Sequence, residues 1–302
     1  MKTRIQFLLL AASLAVLPGI LQAQPSAHYA PGVEGIKAAT LPPPGFYVRD
    51  YNYFYWADQL NDSSGNKFGP ADLDAFTYVN LPRLLWITDT KFLGGNVGVD
   101  GFLPLVYQQA SANFGGPFSA TTFGVGDLFA EGTLSWHLKQ FDFAIGSGVD
   151  MPTGDSPTKY GPTTKPGLGY WTFMQTAGVT WYIDEDKTWA VSALNRFEFN
   201  TEQRDTEVTY GDAYTLEWGI SKSVCKEADL GVVGYYQQQV TGNSVALPAP
   251  VSGLNRVAAV GPEVSCMFPK PMLFISLRYN YEFMAENRAQ GNAITLTLTK
   301  RF

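Results

Sequence analysis

From Gly45 to the C-terminus, apolar positions recur at every second residue in stretches of about ten, the period of a β-strand whose two faces meet different surroundings. The clearest stretch is Leu273 to Phe283. Leu273, Ile275, Leu277, Tyr279, Tyr281 and Phe283 share one face, and Ser276, Arg278, Asn280 and Glu282 share the other. Phe141 to Met151 likewise sets Phe141, Phe143, Ile145, Val149 and Met151 against Asp142, Gly146, Gly148 and Asp150. The pattern predicts twelve strands, near 46–57, 75–87, 95–107, 125–138, 141–151, 170–182, 189–200, 212–222, 229–240, 255–267, 272–284 and 292–302. Arg49, Arg83 and Gln175 fall on faces that otherwise read as apolar, which leaves the register of their three segments open.

The connections sort by parity. Those after even strands are short (88–94, 139–140, 183–188, 223–228 and 268–271). Those after odd strands are mostly longer and rich in Gly, Pro, Asn and Asp (58–74, 108–124, 152–169, 201–211, 241–254 and 285–291). Alternating long loops and short turns, with an even strand count, are the signature of an outer-membrane barrel with both termini in the periplasm. The expected fold is therefore all-β: an antiparallel up-and-down transmembrane β-barrel of the bacterial outer membrane, of about 12 strands, apolar toward lipid and polar toward the lumen. Tyr47, Trp86, Tyr107, Trp136, Trp171, Trp181, Trp189 and Phe302 lie near strand ends, where rings form interfacial girdles. Lys300 interrupts the last apolar stripe and is expected to snorkel to the periplasmic interface.

The first residues give the address. Lys2 and Arg4 precede the apolar stretch Ile5 to Ile20, which Pro18 interrupts, and Leu21-Gln22-Ala23 supplies a small residue before Gln24. Residues 1–23 read as a cleaved secretory signal peptide. Residues 24–44, ending in Pro42-Pro43-Pro44, form a periplasmic lead that could reach into the barrel mouth as a plug, and 45–302 form the barrel.

Composition agrees. The 302 residues are 45% hydrophobic and 14% aromatic but only 16% charged, with a mean hydropathy of -0.07. That is too polar for a bundle of membrane helices and too rich in apolar area for disorder. A formal charge of -6, becoming -8 when Lys2 and Arg4 are removed, argues against a nucleic-acid partner. Two His and two Cys leave little room for a zinc site of the usual ligand set, and neither a calcium loop nor a phosphate-binding loop is present in the sequence. No cofactor is expected.

Several stretches together resemble a known family. They are Gly98-Val99-Asp100-Gly101-Phe102-Leu103-Pro104-Leu105-Val106, Gly124-Val125-Gly126-Asp127, Pro152-Thr153-Gly154-Asp155 and Ala193 to Asn200. Thr215-Leu216-Glu217-Trp218-Gly219, Gly231 to Gln239, Gly261-Pro262-Glu263 and the closing Leu298 to Phe302 complete the set. In combination they resemble the phenol meta-pathway degradation family of proteobacterial outer-membrane proteins, over most of residues 45–302. The resemblance implies a transporter-like barrel associated with catabolism of aromatic or other hydrophobic compounds, and not an enzyme of the pathway.

The faces assigned inward carry Asp100, Glu131, Asp150, Arg196, Glu198, Glu217, Glu263, Arg278, Glu282 and Arg301. Buried carboxylates need partners, so Arg196, Arg278 and Arg301 are expected to pair with some of the acids across a narrow lumen. Two readings stand side by side: a polar core that stiffens the wall, or the lining of a selective path. Tyr235, Gln237 and Gln239 could bind an aromatic solute near the extracellular mouth. Gly98, Gly146, Gly148, Gly219 and Gly261 mark curvature or close packing in the wall.

Catalysis finds little support. Ser135 and His137 share a strand face, but no third residue orients them, and Asp184-Glu185-Asp186 reads as a solvated turn. No catalytic or metal residue is assigned. Cys225 and Cys266 both fall at the periplasmic rim, one strand apart, either as a disulfide or as two thiols. The favoured function is passive uptake of small hydrophobic or aromatic compounds through the outer membrane. The alternative is a closed barrel serving as receptor, adhesin or structural protein. Expected partners are outer-membrane lipid, the solute, and the barrel-assembly machinery through the C-terminal strand ending in Phe302, with the oligomeric state open.

Overall fold

The computed structural model describes residues 27–68, 73–113, 117–158, 164–245 and 253–302. The expected signal peptide and the start of the lead lie outside the described residues. Fourteen strands are present: β1 (Gly45–Leu60), β2 (Asp74–Phe92), β3 (Gly95–Phe102), β4 (Leu105–Asn113), β5 (Pro117–Val125), β6 (Leu128–His137), β7 (Phe141–Met151), β8 (Thr172–Tyr182), β9 (Trp189–Asn200), β10 (Ala213–Cys225), β11 (Ala228–Gln239), β12 (Arg256–Phe268), β13 (Leu273–Glu286) and β14 (Ala289–Arg301). They build twelve staves, because β3 with β4, and β5 with β6, are halves of single staves broken at Pro104 and at Gly126-Asp127. Pro104 has no N–H to give the ladder, and its carbonyl instead accepts from Gly126 N at 2.8 Å. Neighbouring strands are antiparallel, and β1 pairs with both β2 and β14, which closes the barrel. Closure removes the sheet edges that lipid could not satisfy.

Two connections differ from the sequence expectation. The predicted loop 108–124 is the β4–β5 hairpin, which continues past the end of β7. Apart from Phe118 and Phe123, the strand residues within 108–124 are polar or small on both faces, so they show no sustained strand period. The predicted loop 285–291 shrinks to a tight turn at Asn287-Arg288, with Asn287 at φ 53°. Asn tolerates that left-handed conformation better than most residues.

Outside, Leu84, Trp86, Ile145, Phe173, Ile220 and Leu277 are exposed, as a lipid-facing wall requires. Trp171, Trp181, Trp189 and Phe302 project outward too, but Tyr47, expected in the same girdle, is buried and gives its hydroxyl to Pro43 O at 2.7 Å. The three uncertain registers resolve. Arg49 and Arg83 face the lumen, and Gln175 faces out, where it bonds Ser147 Oγ at 2.8 Å. The lumen side of β1 carries Tyr47, Tyr51 and Tyr53, and that of β2 carries Leu85 and Ile87, so this part of the interior is apolar and aromatic.

Of the two readings left open for the cysteines, the structure has the two thiols. Both thiols are free. Cys225 aligns with Ala228 and Ala228 with Cys266, so β11 stands between them. Two strand spacings of about 4.8 Å exceed the roughly 7 Å Cα separation that a disulfide spans.

Candidate functional site

The chain's own N-terminal segment runs through the lumen. Residues 27–44 run from the extracellular half, where His28 meets Asp127, to the periplasmic rim, where Pro44 O accepts from Arg301. This is far deeper than the mouth position expected for the lead. The segment has no strand partner, so its backbone amides need acceptors. The wall supplies carboxylates. Glu198 Oε1 accepts from His28 N and Tyr29 N at 2.8 and 3.0 Å. Glu217 Oε1 accepts from Gly32 N and Glu34 N at 2.8 and 3.1 Å, and Glu263 Oε2 from Ile36 N at 2.9 Å. Gly32 sits at φ 87°, a turn that a side chain would strain, and this turn brings its amide to Glu217. Gly219 and Gly231 make room for Ile36, so these wall glycines serve close packing.

Of the residues assigned to the lumen from sequence, Asp100, Glu131, Asp150, Arg196, Glu198, Glu217, Tyr235, Gln237, Glu263, Arg278 and Glu282 are buried, and Arg301 is half-buried at the rim. Their pairing differs from the expectation. Arg196 donates to Glu217 at 2.7 Å and Arg278 to Glu263 at 3.4 Å, each on the adjacent stave and not across the bore. Arg301 bonds a backbone carbonyl and lies beside the Tyr47 ring. Glu282 accepts the hydroxyls of Tyr55 and Tyr235, each at 2.8 Å. Gln237 donates to Tyr29 O at 3.0 Å, so it holds the segment. Arg278 also donates to Val33 O.

At mid-height the segment and wall form a charged septum. Glu34 Oε1 accepts from the Tyr51 hydroxyl at 2.5 Å and from Arg83 at 3.2 Å, and Oε2 accepts from Arg49 at 3.5 Å. Burial alone would raise the Glu34 carboxyl, but Arg49, Arg83, Arg196 and the Tyr51 hydrogen bond hold it below its ordinary range. Arg83 continues to Asp100 at 2.7 Å and Glu131 at 3.4 Å, and Arg196 lies 4.0 Å over the Tyr29 ring. Sequence reading missed Glu34, Arg49, Arg83 and Tyr29. An arginine inside an otherwise apolar strand face was the available signal for Arg49 and Arg83.

His28, which the sequence leaves without a partner, is held at both ring nitrogens. Asn200 Nδ2 donates to Gly211 O, which fixes Asn200 Oδ1 as acceptor from the Thr172 hydroxyl at 2.6 Å. Thr172 Oγ1 must then accept from His28 Nδ1 at 2.6 Å, while Nε2 donates to the Asp127 carboxylate at 3.0 Å. With both nitrogens donating, His28 is an imidazolium. Burial opposes that charge, but the Asp127 hydrogen bond and the charges of Asp150, Asp127 and Glu198 outweigh it and raise its pKa. Asp127 also accepts from Gly154 N and Leu168 N, so it ties the 152–171 connection to the segment.

The remaining candidates do not assemble a catalytic site. Ser135 Oγ has no hydrogen-bond partner, while His137 Nδ1 is held by Asp142 at 3.0 Å. Asp184 accepts from the Thr188 hydroxyl, Trp189 N and Thr188 N, which lowers its pKa to about 2 and caps its own turn.

Two cavities lie along the barrel axis. The extracellular one has a volume of about 220 Å³ and the periplasmic one about 740 Å³. Glu34, Arg83, Glu131 and Arg196 line both, so the charged septum is the partition between them.

Comparison with known proteins agrees with this architecture. The profile of the family described as "Putative MetA-pathway of phenol degradation" matches residues 57–298. No curated protein is significantly similar to the chain. The crystal structure of an outer membrane channel from Pseudomonas putida F1 superposes with a TM-score of 0.74 at 15% identity, covering 91% of this chain and 100% of that one. The β-domain of the Bordetella autotransporter BrkA gives a TM-score of 0.49 at 10% identity, covering 85% and 99%.

Proposed function

The chain belongs to the family described as "Putative MetA-pathway of phenol degradation", and from that membership and the geometry of the lumen we propose that it is a channel for passive uptake of small hydrophobic or aromatic compounds. The observation that carries the reading is the pair of axial cavities sharing one charged partition. A solute enters the extracellular cavity, crosses when the Glu34 contacts open, and leaves through the wider periplasmic cavity. The inner face of β2 carries Leu81 on the extracellular side of Arg83 and Leu85 and Ile87 on the periplasmic side, so the route has apolar wall on both sides of the partition. The similar barrel from Pseudomonas putida is an outer membrane channel, which supports the same reading.

A second reading has an observation of its own. The segment's amides are satisfied by wall carboxylates and the septum is ion-paired, as a permanently closed receptor or structural barrel would be. Uptake into liposomes separates the two: a channel passes uncharged aromatics faster than sugars of similar size, and a closed barrel gives no flux above empty vesicles. The proposal includes export through a cleaved signal peptide at 1–23. It also includes insertion into outer-membrane lipid by the assembly machinery, through the strand that ends at Phe302.

A further inference from the structure

The extracellular cavity is built unlike the rest of the lumen. A cross-strand row at its level reads Arg83, Phe102, Phe129 and Asp150, on β2, β3, β6 and β7. The rings of Phe102 and Phe129 stack at 4.7 Å with an interplanar angle of 22°. Val33, Val79, Leu81, Val106 and Met174 close the apolar wall around them. A cavity of about 150 Å³ is enough to hold benzene, so 220 Å³ takes one ring with small substituents.

The acids around this cavity are not equivalent. Glu34 is held by Arg49, Arg83 and Tyr51, Glu131 by Arg83 and Thr176, and Asp127 by His28 and two backbone amides. Asp150 lines the cavity at 4% exposure, and its carboxylate accepts no hydrogen bond from the described residues. A buried carboxylate oxygen without a donor is costly, and a donor delivered into the cavity removes that cost. Phe129 and Asp150 are direct cross-strand neighbours, so a ring against Phe129 sets its substituent beside the carboxylate.

We propose that this cavity is a binding site for an uncharged single-ring aromatic bearing one hydroxyl or amine donor, with its ring on Phe129 and its donor on the Asp150 carboxylate. The inference takes from the channel reading only that a solute reaches the lumen. Two discriminations follow. An aromatic without a donor leaves Asp150 unsatisfied, and a benzoate places a second negative charge beside Asp150, the one acid of the cavity that no donor among the described residues holds.

The test is equilibrium binding of phenol, toluene and benzoate to the purified full chain in detergent, by titration calorimetry. Phenol should bind roughly 10- to 100-fold tighter than toluene, the worth of a hydrogen bond to a charged group, and benzoate should not bind. Asp150→Leu should abolish the preference for phenol and leave toluene affinity unchanged. Phe129→Ala should weaken both neutral ligands and keep the preference. Heat-modifiable migration on a gel verifies folding, and Asp150→Asn, which keeps an acceptor, serves if the Leu variant does not fold; it should retain part of the preference. Equal binding of phenol and toluene to the native chain, or a phenol preference that survives Asp150→Leu, overturns the proposal. Liposome flux is read separately. Flux without Asp150-dependent binding removes this site and leaves the channel, whereas binding without flux removes the channel and leaves the site.

Discussion

Arg49 on β1 and Arg83 on β2 stand directly opposite each other on the lumen face. Like charges in that position destabilise a strand pair. Glu34 of the lumen segment accepts from both, so the wall at this level is complete only with the segment in place. Glu34→Ala should therefore act twice. It opens the partition between the cavities, raising single-channel conductance in planar bilayers. It also leaves buried charge uncompensated, lowering stability by about 3–5 kcal/mol in a denaturant titration in vesicles.

Arg196 supports the next level. Its pair with Glu217 is nearly solvent-free, and Glu217 also accepts from the Tyr29 hydroxyl at 2.5 Å and from segment amides. Arg196→Met should cost about 3 kcal/mol, because it strands a buried carboxylate. Adding Glu217→Gln should recover part of that loss, a non-additivity that a double-mutant cycle measures.

The fold was legible where lipid and lumen impose opposite demands on alternate residues, as from Leu273 to Phe283. It was not legible along β4 and β5, whose hairpin has no apolar period. On β1 and β2 the strands were legible but their register was not. There the lumen holds Val33 and Tyr29 of the segment, so the inward face is itself aromatic and apolar and the contrast between faces vanishes. The glutamates of the site could be read as inward, but their partners could not. Glu198, Glu217 and Glu263 bind backbone amides of a segment whose path no side-chain pattern records.

The top of the segment should respond to pH. The raised pKa of His28 means that its ion pair with Asp127 contributes fully below the ordinary imidazole value and is lost as pH rises through the raised one. Conductance should increase as the medium is made alkaline across that window. His28→Gln should flatten the profile, which bilayer recordings between acid and alkaline buffer would show.

The separation of Cys225 and Cys266 by β11 makes a chemical prediction. Protein extracted from outer membranes without reductant should carry two free thiols, and Cys225, which is exposed, should react with maleimide before Cys266. Non-reducing peptide mapping that finds the two linked would contradict the register of β10 to β12.

The most direct test of the central claim is proteoliposome uptake of uncharged aromatics against sugars of similar size, with and without residues 24–44. The full chain should pass aromatics preferentially. The deletion should raise both fluxes and erase the preference, because the septum and the extracellular cavity are partly built from that segment. No flux above empty vesicles in either form would contradict the channel.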